Sequence, residues 1–450
     1  MRCELSIPLT LKEVAQAIGG KLLRDDAVVR SITTDTRELF PGDLYIPIKG
    51  IYFDGNDFCE LASVKGARVI STKQSMADIT VQQTEGILLS LARYYKELLN
   101  VHHTVCITGS VGKTTTKDIC ASILRKKYKT HATKKNYNNE IGVPFTVLSA
   151  PRDCEAMVIE MGMNHQGEIA KLSSAVTPTV AVITKIGSAH IGNLGSRKAI
   201  AEEKSSILAG NPSAKCVIPY GEKLLDKIKN KKTVSTVCSN ADCFLEVTRR
   251  RFDGVYFDYK SSLVEIFDGF IKNNAAHFPE CTALAIAACE ELGITEKQIF
   301  SALGESVFDS KITAIGNLSL IDDAYNSSPE SVFAAIKTLS LYDRPRGILL
   351  GDMLELGSSA AKLHQSIGVA VAKAKIDYLY AYGDFSDEIK HGAMSCGMPP
   401  ERIFVNKSIL SPETTAKQIA DNQSGGHLLF KASHKINLNN VIDILKILMG

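Results

Sequence analysis

The sequence predicts an α/β protein of three domains: a small α/β domain over residues 1–98, a central domain built on a parallel sheet over 99–311, and a Rossmann-like domain over 312–450. Two observations lead to this prediction. Short apolar runs rich in β-branched residues alternate with helical stretches, which is typical of sheets covered by helices. The chain also has 450 residues, whereas one domain usually holds about 100–200.

Composition narrows the class of protein. Hydrophobic residues make up 45% and charged residues 22% of the chain, as is typical of globular proteins. The net charge of +3 is too small to indicate a nucleic-acid partner. No apolar run approaches the ~18 residues of a membrane helix, and Glu4 interrupts the start of the chain, so neither membrane insertion nor a signal peptide is expected. The scattered cysteines predict reduced thiols and a cytoplasmic location.

The first domain is predicted from short strands and tight turns. Apolar pairs at Val28-Val29 and around Leu44 are broken by turn sequences at 41–43 and 54–55, and a helical stretch follows over 84–100.

The central domain is predicted from regular alternation. The expected strands are VCIT (105–108), MVIEM (157–161) and VAVIT (180–184), and the expected helices cover 114–126, 166–174 and 197–209. This order favours a mostly parallel sheet with helices on both faces.

The third domain repeats the alternation. The expected strands are SLIDD (319–323), GILLG (347–351), YLYAYG (378–383), RIFV (402–405) and HLLFKA (427–432), with helices over 329–340 and 359–375. This layering resembles a Rossmann sheet, but the glycine fingerprint of dinucleotide sites is missing from it.

The strongest motif is a glycine loop between a predicted strand and a predicted helix. It comprises Gly109, Ser110, Val111, Gly112, Lys113, Thr114 and Thr115. Glycines allow backbone amides to face phosphate oxygens, and the helix N-terminus adds a favourable dipole. In such loops the lysine reaches the β- and γ-phosphates and the hydroxyl after it binds Mg²⁺. The loop therefore predicts ATP binding, although it has two residues between its glycines rather than four.

Three further segments carry candidate ligands. Glu160 ends an apolar strand, where parallel sheets bind ligands, and one carboxylate with phosphates can hold Mg²⁺. Asn138 and Asn139 belong to an amide-rich loop before Gly142 and Pro144. His190 lies in a glycine-bounded loop after a strand, which favours a ligand over a core histidine. Lys204, beside Glu202 and Glu203, reads on its own as a solvated helix residue.

Taken together, several segments resemble the Mur ligase family. They are TGSVGKTTTKD, NYNNEIGVPFTVL, VIEMGMNHQGEI, ITKIGSAHIGNLGS with AEEKSSIL, IDDAYNSSPES and LLGDMLELG, in this order over residues 108–357. The amino-terminal stretch 34–58 resembles the UDP-sugar domain of the same family. The resemblance implies a UDP-sugar domain, a P-loop ATPase domain and a Rossmann-like domain, which matches the three regions above.

The resemblance also implies roles for individual residues. Glu160 and His190 would be metal ligands, and Lys204 would be a carbamylated lysine that helps to hold a second Mg²⁺. Further positions match the family's nucleotide, acceptor-amine and UDP sites. Those near the nucleotide or the amine are Asn138, Asn139, Asp322, Tyr325 and Asn326, and those near UDP are Thr36, Arg37, Asp54 and Gly55.

The implied activity is ATP-dependent amide formation. The carboxylate of UDP-N-acetylmuramoyl-tripeptide would attack the γ-phosphate of ATP, and the amine of D-alanyl-D-alanine would then attack the acyl phosphate, giving the UDP-MurNAc-pentapeptide. Lys113, Lys204, His190 and Asn326 would be the catalytic residues, with ATP and Mg²⁺ as cofactors and a monomer as the expected state.

Other functions stay open at the level of the sequence. A sibling ligase that adds a single amino acid and a folylpolyglutamate synthetase share the general mechanism. A relative that binds nucleotide without catalysis is less favoured, because Lys113, Glu160 and His190 are all present. A phosphotransferase is disfavoured because the chain has no kinase-type catalytic Asp motif.

Overall fold

The computed structural model describes residues 1–50, 52–251, 254–273, 275–305, 312–324, 327–407 and 411–449. Their strands form three sheets of six, nine and six strands, each formed by a continuous part of the chain. The predicted α/β class is confirmed. The three parts are called here the first, central and third units.

The first unit has a mixed sheet of order β1-β3-β4-β5-β6-β2, whose inner strands β3 to β6 pair in parallel and whose edge strands β1 and β2 are antiparallel. The predicted helix over 84–100 is present. Its elements are β1 Arg2–Thr10, α1 Leu11–Ile18, β2 Lys21–Leu22, β3 Val28–Thr33, β4 Leu44–Tyr45, α2 Cys59–Val64, β5 Arg68–Ser71, β6 Ile79–Thr80 and α3 Ile87–Leu99.

The central unit has the order β15-β14-β13-β12-β11-β10-β7-β9-β8, in which β7 to β13 are parallel. Its elements are β7 His103–Thr108, α4 Lys113–Leu124, β8 Thr130–Ala132, α5 Gly142–Leu148, β9 Ala156–Glu160, α6 Glu168–Val176, β10 Val180–Ile183, α7 Ile191–Leu194, α8 Arg197–Ser205, β11 Lys215–Pro219, β12 Lys231–Ser235, β13 Cys243–Arg251, β14 Gly254–Lys260, β15 Glu265–Ile271, α9 Phe278–Glu290 and α10 Glu296–Glu305.

The third unit has the order β16-β17-β21-β18-β19-β20, parallel except for the edge strand β16. All five strands predicted from the sequence are present. The elements are β16 Ile312–Ile315, β17 Asn317–Asp322, α11 Pro329–Leu339, β18 Arg346–Gly351, α12 Ala360–Lys373, β19 Tyr378–Tyr382, α13 Ser386–Ser395, β20 Ile403–Asn406, α14 Pro412–Asn422, β21 Gly425–Lys431 and α15 Asn439–Met449.

The hydrophobic cores follow the sheet faces. One continuous core joins α1 and α3 of the first unit to one face of the central sheet, and α4 and α9 cover the other face. The third sheet has a core on each face. All eleven cysteines are free thiols, eight of them buried. Over the described ranges, every helix is too short or too polar to cross a membrane.

Candidate functional site

The candidate site lies at one edge of the central sheet. Strands β10, β7 and β9 are adjacent and parallel, so their carboxyl ends meet at this edge. After β7 comes the glycine loop, β9 ends in Glu160, and β10 is followed by the loop that leads to His190. This edge is where parallel α/β sheets bind their ligands.

The glycine loop is held tightly against the loop after β10. Gly109 has φ +153°, and a Cβ atom added to it would lie 1.9 Å from Oγ1 of Thr184. The Thr184 hydroxyl donates to the carbonyl of Val111 (2.5 Å), and the amide of Ser110 donates to the carbonyl of Lys185 (2.9 Å). Only glycine fits at position 109, because both the conformation and the space exclude a side chain.

Lys113 and Thr114 begin helix α4 directly after Gly112, which has φ +86°. The ammonium of Lys113 donates to the carbonyl of Gly109 (2.8 Å), so it lies over the loop from which it starts. Burial lowers the pKa of Lys113, and the Glu160 carboxylate opposes this shift. A cation in this position can neutralise a bound phosphate. Thr115 follows on the same turn of the helix.

Glu160 is the centre of a small polar cluster. Its carboxylate is almost fully buried and accepts hydrogen bonds from the Thr114 hydroxyl (2.9 Å) and the Asn138 side-chain amide (2.8 Å). These contacts unite three residues that the sequence placed in separate motifs. Asn139, in contrast, uses its side-chain oxygen to accept from the amides of Ile141 (3.2 Å) and Gly142 (2.8 Å) at the start of α5.

Lys204 lies in α8 and is only 1% exposed, so its interpretation as a solvated helix residue is wrong. Burial lowers the pKa of Lys204 well below its usual range, and the charge of Lys113 lowers it further. Burial thus favours the neutral form of this amine. The neighbouring Glu203 faces α6 instead, where its carboxylate accepts from the amides of Gly167 (2.7 Å) and Ile169 (2.9 Å).

His190 precedes the short helix α7 with a left-handed backbone, φ +64°. Its Nδ1 lies 2.7 Å from Oε2 of Glu355, a residue of the third unit. Burial lowers the pKa of His190, and the Glu355 carboxylate opposes the shift. The charges of Lys113 and Lys204 lower this pKa further, so the histidine is within electrostatic reach of both lysines.

Other predicted site residues lie elsewhere. Asp322 ends β17, and its carboxylate accepts from the amide of Ala324 (3.0 Å). Tyr325 and Asn326 lie outside the described residues.

The four predicted UDP-site residues all lie in the first unit. The carboxylate of Asp54 accepts from the amide of Asn56 (2.9 Å), and the carbonyl of Gly55 accepts from the hydroxyl of Tyr45 (2.9 Å). The carbonyl of Thr36 accepts from the ammonium of Lys65 (2.8 Å), and the exposed Arg37 pairs with Asp35 (2.6 Å).

A basic cavity of about 440 Å³ adjoins the site along α4. It is lined by Thr114, Lys117, Asp118, Arg125, Thr130, His131, Ala132, Thr133, Lys134 and Lys135. Four of these side chains are lysine or arginine and one is a carboxylate, so the cavity suits an anionic group.

The described residues contain no group of three His, Cys, Asp or Glu side chains close enough to hold a metal ion. The oxygen atoms of Thr114 and Glu160 nevertheless fit Mg²⁺, which is usually held by one or two carboxylates, phosphates and water.

Sequence reasoning missed several residues that contact the site. Thr184 packs on the glycine loop, Glu330 accepts from the amide of Ser188 (2.7 Å), and Glu355 meets His190. Glu330 belongs to the segment YNSSPES and Glu355 to the segment LLGDMLELG, and both segments resemble the family. The resemblance therefore pointed to these segments, but it did not predict that the two glutamates contact the loop after β10.

The chain is similar to known ligases over nearly its whole length. Residues 107–269 match the Mur ligase middle domain, and residues 308–434 match the Mur ligase glutamate ligase domain. The UDP-N-acetylmuramoyl-tripeptide–D-alanyl-D-alanine ligase of Bacillus subtilis (strain 168) is 35% identical, covering 97% of this chain and 98% of the relative.

Solved structures agree with this similarity. A structure of MurF from Acinetobacter baumannii has a TM-score of 0.88 at 26% identity, covering 98% of this chain and 99% of that one. The MurF ligase of Thermotoga maritima in complex with ADP has a TM-score of 0.80 at 25% identity, covering 93% and 97%.

Proposed function

This chain belongs to the Mur ligase family, and from that premise we propose that it is the ATP-dependent ligase that joins D-alanyl-D-alanine to UDP-N-acetylmuramoyl-tripeptide. The product is the UDP-MurNAc-pentapeptide precursor of peptidoglycan, which connects the enzyme to cell wall growth, cell shape and cell division. Relatives and structural neighbours of this activity cover nearly the whole chain.

One observation carries the proposal at the level of the site. The buried carboxylate of Glu160 accepts from Thr114 and Asn138 directly beside the glycine loop. Groups that suit phosphate, Mg²⁺ and amide hydrogen bonding therefore lie together at one sheet edge, which supports a site where an anionic carboxylate approaches a phosphate.

ATP is the expected nucleotide, and the glycine loop with Lys113 is its proposed phosphate site. The amides of the loop and the N-terminus of α4 would hold the phosphate oxygens, together with the Lys113 ammonium. Ser110, Val111, Gly112 and Thr115 complete this site. The MurF neighbour from Thermotoga maritima, whose structure contains ADP, supports this assignment.

Mg²⁺ is the expected metal, with Thr114 and Glu160 as its proposed ligands and His190 and Lys204 as ligands of a second ion. When bound, Mg²⁺ neutralises phosphate charge so that one anion can approach another. The neutral Nζ of Lys204 can add to carbon dioxide, forming an N–C bond with loss of one proton. This addition converts a cation into a carboxylate-like ligand, and the lowered pKa of Lys204 favours it.

The proposed reaction has two steps. In the first, a carboxylate oxygen of the tripeptide attacks the γ-phosphorus of ATP, the bond to ADP breaks, and an acyl phosphate forms. In the second, the free amine of D-alanyl-D-alanine attacks the acyl carbon, loses a proton, and expels phosphate from the tetrahedral intermediate. Lys113 stabilises the negative charge on the transferred phosphoryl group.

The remaining predicted roles complete the proposal. Asp322, Tyr325 and Asn326 would line the nucleotide and acceptor amine, and Asn139 would contribute near the nucleotide. Thr36, Arg37, Asp54 and Gly55 would bind the UDP moiety. The proposal also includes three domains with the bounds 1–98, 99–311 and 312–450. It further includes a monomeric state and a cytoplasmic location.

Phosphate release tests the proposed function. The purified chain is incubated with ATP, Mg²⁺ and UDP-MurNAc-tripeptide, with and without D-alanyl-D-alanine, and the product is identified by mass spectrometry. We expect the dipeptide to stimulate phosphate release strongly, whereas free D-alanine or glutamate should not. Equal stimulation by a single amino acid would favour a sibling ligase, and nucleotide binding without any release would favour a non-catalytic relative.

A further inference from the structure

Two carboxylates of the third unit reach the loop that follows β10 in the central unit. Glu355 contacts His190 through its side chain at 2.7 Å, and its carbonyl accepts from the amide of Gly192 (3.1 Å). Glu330 accepts from the amide of Ser188 at 2.7 Å. The two glutamates therefore contact the loop after β10 at two points, but only Glu355 contacts an ionisable side chain, the imidazole of His190.

The segment that carries Glu355 is fixed within the third unit. The amide of Met353 donates to Nε2 of the fully buried His364 (2.9 Å), and the amide of Leu354 donates to the hydroxyl of Ser433 (2.9 Å). The Asp352 carboxylate accepts from the amides of Asp384 (2.8 Å) and Phe385 (3.0 Å). The backbone directly before Glu355 is therefore held in place by hydrogen bonds within the third unit.

The contact also has an unusual backbone geometry on both sides. Glu355 and His190 both have φ +64°, in the left-handed region that side chains other than glycine rarely adopt. The backbones of the two segments also lie close together, since a Cβ added to Gly192 would lie 2.8 Å from the Glu355 carbonyl oxygen. Residues held in such strained conformations cluster at functional sites.

The chemistry of this contact determines which nitrogen of His190 carries the proton. A carboxylate can only accept, so Nδ1 must donate to Glu355 and Nε2 is left with its lone pair. Metal-binding histidines usually donate their other ring N–H to a carboxylate, which fixes the tautomer and the ring orientation. The charges of Lys113 and Lys204 also act on His190.

We propose that Glu355 is a positioning residue that holds His190 in its Nδ1–H tautomer and prepares Nε2 for the metal, and that it does so only when the third unit is docked on the central unit. The inference rests on the metal-ligand role proposed above for His190. In this proposal, the segment LLGDMLELG orients a metal ligand of the central unit when the third unit docks on it.

The test compares three variants: Glu355→Ala, which removes the acceptor, Glu355→Gln, which keeps a neutral acceptor, and Glu330→Gln, which keeps a neutral acceptor for the Ser188 amide at the other contact between the units and does not touch the ring. The side chain of Glu355 is 47% exposed, so these changes remove little packing. The first readout is ¹⁵N NMR of histidine-labelled full-length protein, with the His190 signal assigned from a His190→Gln sample. The second is the Mg²⁺ concentration that gives half-maximal phosphate release.

We expect wild type and Glu330→Gln to show the Nδ1–H tautomer of His190, Glu355→Ala to shift toward Nε2–H, and Glu355→Gln to lie between them. The Mg²⁺ requirement of Glu355→Ala should rise about 10–100-fold, with kcat largely recovered at saturating Mg²⁺. An unchanged tautomer in Glu355→Ala, or a Mg²⁺ requirement that changes equally in Glu330→Gln, would overturn the inference.

The two proposals fail in distinguishable ways. If the wild-type chain released no phosphate in response to the dipeptide, the proposed function would be wrong. The NMR comparison would still show whether Glu355 determines the tautomer of His190. If the wild type ligated normally and Glu355→Ala left both readouts unchanged, only the role of Glu355 would be lost.

Discussion

Two lysines with lowered pKa values belong to the candidate site. Lys113 is drawn over its own loop, and Lys204 is buried in α8, where the charge of Lys113 adds to the effect of burial. Burying two ammonium groups near each other is unfavourable unless anions compensate them. The two lysines therefore favour negative charge at this site, which agrees with the phosphates proposed for Lys113 and the carbamylation proposed for Lys204.

Lys113→Ala should abolish ligation and leave the protein folded. The change removes a cation directed at phosphate but little of the core, so we expect kcat to fall about 100-fold or more. Steady-state phosphate release and thermal melting measure the two effects. ATP turnover equal to that of the wild type, with an unchanged melting temperature, would contradict the phosphate-loop assignment.

Lys204→Ala should lose most activity because the carbamate cannot form, and short carboxylates such as acetate should restore part of it. Lys204→Arg should remain inactive, because guanidinium keeps the positive charge that carbamylation reverses. Phosphate release with and without added acetate is the measurement. Full activity of Lys204→Arg would show that no carbamate is needed.

Lys204 also shows where the sequence was insufficient. In AEEKSS the lysine has the surroundings of a solvated helix face, yet it is 1% exposed because α8 packs with this face inward. Only the family resemblance indicated a role for it. The position of Glu160 was easier to predict, because a carboxylate that ends an apolar parallel strand lies at the edge where such sheets bind ligands.

At the scale of elements, the glycine loop depends on the loop after β10. Gly109→Ala should weaken nucleotide binding, because its Cβ would overlap Oγ1 of Thr184 and its φ of +153° strains any side chain. We expect at least about tenfold weaker ADP binding by calorimetry. Gly304→Ala is the matched control, since a Cβ there meets no atom within 4 Å. Equal affinity of both variants would contradict the tight contact.

A buried ion pair connects β12 to α9 in the central unit. Lys232 lies 2.5 Å from the carboxylate of Glu290, which is fully buried, and 2.6 Å from that of Glu291. Lys232→Ala leaves a buried charge without its partner and should cost ~3–5 kcal/mol in the free energy of unfolding.

The neighbouring Lys231 provides the control for this prediction. It pairs with the exposed Asp226 at 3.1 Å, so Lys231→Ala should cost less than about 1 kcal/mol. Denaturant midpoints of the two variants give the comparison. If the denaturant midpoint fell by a similar amount in both variants, burial of the Lys232 ion pair would contribute little to the free energy of unfolding.

Most elements were predicted because their apolar runs end in clear turns. The strands predicted at 105–108 and 347–351 occur as His103–Thr108 and Arg346–Gly351. The antiparallel extension β13 to β15 was not predicted, because CFLEVTRRR and its partners mix charged and apolar residues along each strand. Contacts between units, such as that of Glu355 with His190, have no local pattern that a single sequence could reveal.

At the scale of the whole molecule, the loop after β10 connects the glycine loop to the third unit. Gly192→Ala should displace the third unit, because the new Cβ would lie 2.8 Å from the Glu355 carbonyl and 3.0 Å from the Gly357 amide. We expect ligation to fall about 100-fold, while ADP binding to the central unit is retained.

Small-angle X-ray scattering checks the displacement predicted for Gly192→Ala. The radius of gyration of this variant should exceed that of wild type and of the Gly304→Ala control. Unchanged scattering together with unchanged ligation would show that the loop tolerates the extra atom and that this contact does not set the docking.

The distribution of the thiols has a practical consequence for observing such motion. Of the eleven cysteines only Cys396, which follows α13 in the third unit, is exposed. Cys3 and Cys238 are only partly exposed, and burial raises the pKa of Cys3 to about 12, so its reactive thiolate is scarce. A maleimide dye should therefore label the native chain first at Cys396. A dye at Cys396 would place an optical reporter on the third unit, so that a displacement of this unit can be followed by fluorescence without a substitution.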